Sequence, residues 1–354
     1  MTRSTGSGSD HILLSICIAT YRRGPYIGAT LDSILQQMPP GVELLVVDGA
    51  SPDDTPQVMH RYLQKHPEIV YRREERNSGV DADYDKAVGY ARGRYCWLMS
   101  DDDLLMRDAL AQVLVALRDG VDLLVINAEV RNKTFSAVLQ PRLLPVTSDL
   151  SYGPRENERF FVLAANYLTF IGAVIIRREL WLARSREPYY GTNFIHVGVI
   201  FQSPLPGSIR VLADPLVMIR YGNALWSQRS FEIWMYKWPG LIWSFGHLSE
   251  AARRRITRPN PARSPQRLLW FRAIGALGQP EYERLLNDNP DAAARRLIGA
   301  VMWLPASLLN AALAIYCLFS AHPFARLKLF ELAKASCSTS VSRVLARLRG
   351  ASDV

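Results

Sequence analysis

Tyr95-Cys96-Trp97-Leu98-Met99-Ser100-Asp101-Asp102-Asp103 is the stretch on which the reading of this chain turns. A short, unbroken apolar run fits a strand covered on both faces, the usual state of a parallel sheet. This one empties directly into three consecutive carboxylates. Outward from it the same pattern repeats. Upstream, Asp81 to Arg92 reads as a helix with Tyr84, Ala87, Val88 and Ala91 on one side, preceded by the turn signal Asn77-Ser78-Gly79 and a short strand over Ile69 to Arg72. Val42 to Val47 is a buried strand ending at Asp48, and Ile12 to Ile18 another, followed by Thr20-Tyr21-Arg22. Between these strands lie a helix over Tyr26 to Gln37, stopped by Pro39-Pro40-Gly41, and one capped by Asp54 or Thr55 that runs to about Lys65. Downstream come a helix over Leu110 to Leu117 and a fifth strand over Val121 to Ile126. Strand and helix alternating at these lengths predict an α/β fold, a Rossmann-like, mostly parallel sheet flanked by helices and joined by right-handed crossovers. Ligands of such sheets bind beyond the carboxyl ends of the strands. Thr20 to Arg22, Asp48 and Asp101 to Asp103 all fall there.

The rest of the chain is of a different kind. Residues 130–250 are irregular and rich in aromatics, with one strand expected over Phe170 to Ile176. Of the formal net charge of +9, residues 251–354 hold 16 Lys+Arg against 6 Asp+Glu, so the first 250 residues are close to neutral. This asymmetry argues against nucleic acid as a partner of the N-terminal part and favours an anionic membrane surface as the partner of a basic, helical tail. Within that tail Leu297 to Ser320 is an uncharged stretch of 24 residues, interrupted by Pro305 and Asn310 and flanked by Arg295-Arg296 and Arg326. Its length suits a bilayer span. A monotopic or re-entrant helical pair, a true span and a soluble hairpin are all compatible with it. Val341 to Leu348 is amphipathic. Residues 1–10, nearly all Thr, Ser and Gly after the first few, are expected to be disordered. Cys17, Cys96, Cys317 and Cys337 lack metal or redox spacing and read as free thiols of a reducing compartment, and no signal-peptide pattern is found.

The chemistry concentrates at the strand ends. Three adjacent carboxylates repel one another unless a cation is near. Hard divalent ions such as Mg²⁺ or Mn²⁺ take oxygen ligands and leave room for substrate phosphates, so Asp101, Asp102 and Asp103 with a diphosphate make a natural metal site. Asp48 can accept hydrogen bonds from a base or ribose, Tyr21 can stack on a base, and Arg22 or Arg23 can meet phosphate.

Taken together, Leu14 to Arg23, Val46-Val-Asp-Gly-Ala-Ser51, Asn77-Ser-Gly79 and Ala91 to Asp102 resemble the family-2 glycosyltransferases of the GT-A fold, in order, spacing and strand-end placement. The resemblance is close over about residues 11–130 and looser beyond. It implies a nucleotide-sugar donor held by Thr20, Tyr21, Arg22, Asp48, Asn77, Gly79 and Asp81. Asp101 takes the position of the family's second D-x-D acid on the metal, with Asp103 or Asp102 in support. Trp97 to Leu104 and Gly191 to Val197 look like the abequosyltransferase-type branch, which transfers a dideoxyhexose in bacterial O-antigen assembly on a lipid diphosphate carrier. Two departures stand out: Met99 replaces the first acid of D-x-D, and the Glu-Asp pair that supplies the family's base is not evident. His196, with Asp102, is therefore the catalytic candidate, and Glu156, Glu158 and Glu187 are fallback bases. The expected organisation is a GT-A domain over 11–245, with a donor half to 130 and an aromatic-lined acceptor half from 131. A basic helical extension, 246–354, would dock on the cytoplasmic face of the membrane where a lipid-linked saccharide acceptor resides. The competing readings are a nucleotidyltransferase, for which Arg22-Arg23-Gly24 is a poor phosphate loop, and a non-catalytic glycan- or membrane-binding protein that kept the fold.

Overall fold

The computed structural model describes residues 12–223, 229–288 and 291–352. The expectation of disorder for residues 1–10 lies outside them. The chain divides into two compact units, the first made of residues up to Asn127 with Val146–Val217, the second of Ala128–Pro145 with Met218–Val354.

In the first unit the alternation is realised as β1 (Leu14–Thr20), α1 (Gly24–Leu35), β2 (Val42–Asp48), α2 (Thr55–Lys65), β3 (Val70–Arg73), α3 (Val80–Tyr90), β4 (Tyr95–Met99), β5 (Leu104–Leu105) and α4 (Ala109–Leu117). Along the chain there follow β6 (Leu123–Arg131), β7 (Val138–Gln140), β8 (Leu150–Tyr152), α5 (Asn157–Ala164), β9 (Val174–Arg177), α6 (Arg178–Leu182), α7 (Ile195–Phe201) and β10 (Ile209–Arg220), of which β7, β6 from Ala128 on and β10 from Met218 on belong to the second unit. The sheet order is β3-β2-β1-β4-β9-β6-β10-β5. β1 pairs in parallel with β2 and with β4, and β2 with β3. Every residue of β1 and β4 is buried, as their mostly apolar sequences require, Ser15 of β1 being satisfied by donating to Glu43 at 2.6 Å.

Beyond β4 the pairing changes. The expected fifth strand forms as the first part of β6, but β9 lies between β4 and β6, antiparallel to both. An apolar run identifies a strand without naming its neighbour, and here a strand some fifty residues later in sequence takes the place beside β4. The strand expected from Phe170 starts only at Val174, because Ile171–Ala173 is a single 3-10 turn.

Apart from β7 and the ends of β6 and β10, the second unit is helical: α8 (Ser230–Glu232), α9 (Trp238–Ser244), α10 (Glu250–Ile256), α11 (Pro265–Ala273), α12 (Gln279–Asp288), α13 (Ala292–Met302), α14 (Ala306–Phe319), α15 (Ala325–Lys334) and α16 (Ser340–Leu348). The uncharged stretch is two helices, α13 and α14, bent by 90° at Pro305. Among the described residues no single helix is long and apolar enough to cross a membrane. Asn310 is a buried hub rather than a defect: its amide donates to the carbonyls of Ala273 at 3.0 Å and Leu332 at 2.9 Å, so its burial is compensated. With Ala314 and Cys317 it forms the inward face of α14. The opposite face, Leu308, Ile315, Tyr316 and Phe319, is apolar and exposed, as is Trp303 at the bend. Val341, Val344 and Leu348 of α16 also face outward, whereas Leu345 packs inward.

Candidate active site

Register places the polar strand ends side by side. Thr20 is opposite Asp48, and Ile18 is opposite Met99, so the chain beyond β4 enters Asp101 to Asp103 at the same edge. The two turns leaving β1 and β2 are tied together: Gly49 N donates to Thr20 O at 3.0 Å, Arg22 N to Ser51 Oγ at 3.0 Å and Arg23 N to Thr55 Oγ1 at 2.9 Å. Arg22 and Ala50 hold left-handed backbone, φ 59° and 61°. Non-glycine residues persist there only where surroundings over-determine them, often at functional sites.

The cation that reconciles the acids is Arg23. Its guanidinium lies 3.3 Å from Asp101 and 3.3 Å from Asp102. It does not fully offset the cost of collecting them. Burial, and then the charge of Asp102, push the Asp101 carboxyl up to about 7, against the opposing effects of Arg23 and of the Thr20 hydroxyl. That hydroxyl, on the buried end of β1, finds no partner of good hydrogen-bond geometry among the described residues. Asp102 also accepts from Ser100 Oγ at 2.6 Å, and Asp103 is buried. Among the described residues no group of three His, Cys, Asp or Glu side chains is placed to hold a metal ion by itself. The donor set is instead two hard carboxylates, an orphaned hydroxyl and an under-neutralised charge. This fits an open Mg²⁺ or Mn²⁺ site that takes its remaining ligands from phosphate and water.

Beside the acids lies a second wall. Asp48 is fully buried, accepting from Ser51 N at 2.8 Å and from Tyr71 Oη at 2.7 Å, with Arg73 Nε at 3.7 Å. Gly49 lets this turn approach α3: a Cβ there would lie 2.5 Å from Asp83 Oδ2. Asp83 accepts from Ser78 Oγ at 2.6 Å, and burial raises its pKa. Asn77 Oδ1 accepts from Gly79 N at 2.8 Å, and Gly79 opens α3 at φ 89°. Tyr21 is half-buried and Arg22 exposed at the same rim.

Two candidates fall elsewhere. Asp81 is buried and accepts from the backbone N of Asn193 at 2.8 Å and Ile195 at 3.0 Å; its carboxylate anchors the start of α7. His196 is corrected outright as a base. It is 1% exposed, its Nε2 lies 2.6 Å from Leu168 O, its Nδ1 has no partner among the described residues, and burial lowers its pKa to about 4. A neutral imidazole sealed against a backbone carbonyl has no path to an acceptor. His196→Gln, which keeps a donor for Leu168, is therefore expected to retain turnover and its pH profile, whereas loss of a general base costs about 100-fold or more. Activity and thermal melting of this variant decide the matter: a large activity loss at unchanged melting temperature would restore the base role. Of the fallback acids, Glu156 caps its own turn through Gly153 N at 3.0 Å, while Glu158 and Glu187 are exposed.

Asp83 and the bridging geometry of Arg23 were not legible in the sequence. The one available signal was the Asp81-x-Asp83 spacing in the first turn of α3, where carboxylates suit a helix N-terminus.

Comparison with known proteins covers the part of the chain that builds this edge. Residues 15–180 match the family described as Glycosyl transferase family 2. Over 225 residues the chain is 28% identical to the abequosyltransferase RfbV of Salmonella typhimurium, spanning 60% of this chain and 68% of that one. Over 104 residues it is 33% identical to TuaG of Bacillus subtilis, a putative teichuronic acid biosynthesis glycosyltransferase, spanning 29% of this chain and 40% of TuaG. In fold it is similar to crystal structures of TarS residues 1–349 from S. aureus. The TM-score is 0.55, over 96% of this chain and 92% of the other, at 16% identity for one structure and 18% for the complex with UDP.

Proposed function

We propose that this chain, whose residues 15–180 match the family-2 glycosyltransferases, is a glycosyltransferase that moves a sugar from a nucleotide-sugar donor to a lipid-linked saccharide in bacterial surface polysaccharide synthesis. The observation that carries this reading is the junction of Asp101, Asp102, Arg23 and the orphaned Thr20 hydroxyl at the ends of β1 and β4. The donor's diphosphate belongs there, and its nucleoside along Tyr21, Asp48, Gly49, Asn77 and Asp83. Asp101, with Asp103 or Asp102, would hold Mg²⁺ or Mn²⁺, whose chemistry is to stabilise charge on the departing nucleoside diphosphate. Arg23 holds Asp101 and Asp102 in place before the donor arrives, and its guanidinium can share a phosphate oxygen once there. Buried Asp48 orients Tyr71 and the Ser51 turn, fixing the floor under the base. With His196 sealed away, the acceptor proton goes to a carboxylate that solvent reaches, Glu158 and Glu187 being the exposed acids of this part of the chain.

The names of RfbV and TuaG point to a cell-surface glycan as product and, for the former, to a deoxyhexose as the sugar. The outward apolar face of α14 and the basic second unit support a peripheral position at the cytoplasmic face of the membrane, where a lipid-linked acceptor lies. Incubating the full chain with a panel of nucleotide sugars plus Mg²⁺ or Mn²⁺, and reading nucleoside diphosphate release by mass spectrometry, tests the reading. Release from one donor class supports it, and release from none in either metal overturns it.

A further inference from the structure

Six arginines crowd the segment 253–267, and the transfer reading uses none of them. In the second unit three of these, Arg254, Arg258 and Arg267, converge with Thr257 and Ser264 on a surface cavity of about 180 Å³. At roughly 30 Å³ per water, that is room for about six waters, or for a tetrahedral anion and its first contacts. The charges around it do not balance. Arg254 is paired with Glu250 at 2.5 Å. Arg267 is half-buried, donates to Trp234 O at 3.3 Å, and has no ion pair among the described residues. Burial pulls its guanidinium below its ordinary value with no carboxylate opposing. Arg258, exposed at the mouth, likewise has no ion pair among the described residues. A half-buried cation without an anion is an unmet cost. Planar guanidinium forks match phosphate oxygens in pairs.

We propose that this cavity is a second anion site, which binds a phosphate or diphosphate group through Arg258 and Arg267, with Arg254, Thr257 and Ser264 completing the shell. The group is either a free pyrophosphate-like anion or the phosphate head of a lipid. The site stands apart from the transfer reading, since it needs neither donor nor metal.

The test uses the full chain in chelator at fixed ionic strength, so that the acids of the first unit repel rather than recruit an anion. One arm is calorimetric titration with sodium pyrophosphate. The other is flotation with phosphatidylcholine vesicles, with and without phosphatidic acid. Arg258→Glu alters an exposed side chain and leaves the fold intact; Arg258→Glu/Arg267→Gln removes both forks. If the ligand is a free anion, pyrophosphate binds the wild type, Arg258→Glu weakens it about tenfold, and the double variant weakens it further. If it is a lipid head, pyrophosphate binds poorly, but phosphatidic acid increases flotation of the wild type and not of either variant. Equal behaviour of wild type and variants in both arms overturns the site.

Discussion

Asp101→Asn is expected to lower both sugar transfer and slow donor hydrolysis by about 100- to 1000-fold, the scale of losing an electrostatic stabiliser of the transition state, and to leave the protein at least as stable as the wild type above neutral pH. The two halves follow from one cause. The folded chain holds the Asp101 proton up to about pH 7, while an unfolded carboxyl releases it near 3.8. Between those values the native state binds more protons than the unfolded one, so the stability this group contributes is fully present below about pH 4 and lost as pH rises to 7. Above that, the ionised carboxylate is a standing cost of collecting acids at a substrate edge. Asparagine removes the charge and the cost together. Melting curves from pH 4 to 8 should therefore be flatter for the variant, with the variant's melting temperature equal or higher at pH 8. A variant that keeps wild-type hydrolysis sinks the metal role of Asp101. One that melts lower at pH 8 sinks the assignment of strain to this site.

Replacing Trp303, Leu308 and Phe319 together by Ser is expected to release the protein from anionic vesicles. These side chains are 89%, 66% and 81% exposed. Immersion in the headgroup boundary at roughly 1.5 kcal/mol each corresponds to about a 1000-fold change in partition. Basic residues bracket the same helix. Arg272 donates to Leu304 O at 3.1 Å and Met302 O at 3.4 Å, and Arg349 donates to Leu318 O at the far end. An in-plane helix on an anionic surface would set this apolar face toward the lipid with cations close by. The substitutions lie on a solvent face, so melting temperature should hold. Flotation with phosphatidylglycerol vesicles reads the outcome, and an unchanged bound fraction at unchanged melting temperature contradicts membrane docking by α14.

The parallel half of the sheet was legible because β1, β2 and β4 are predominantly apolar, with Ser15 and Glu43 the interior exceptions, and each ends in a polar residue or turn, a pattern with few other physical solutions. The antiparallel half was not: nothing in Val174–Arg177 says that it inserts beside Tyr95–Trp97. The acids were legible as a cluster. Their internal compensation by Arg23 was not, because it depends on the turn after β1 adopting left-handed backbone at Arg22. Asp83 was hidden for a related reason, since its place beside Asp48 rests on the absence of a Cβ at Gly49. His196 looked like a base among Gly, Thr and Asn neighbours. It lies on α7, every residue of which is buried, and its partner is the Leu168 carbonyl 28 residues away, which sequence proximity cannot reveal. In the second unit, Pro305 was read correctly as an interruption, whereas Asn310 was not recognised as a satisfied core residue.

The most direct measurement is calorimetric titration of the full chain with UDP, GDP, CDP and TDP, with and without Mn²⁺ or Mg²⁺. At least one nucleoside diphosphate should bind more tightly when the ion is present, and Asp101→Asn should erase that difference while leaving metal-free binding alone. Identical affinities with and without either ion, across all four, would contradict the idea that these crowded acids serve a metal-bound diphosphate.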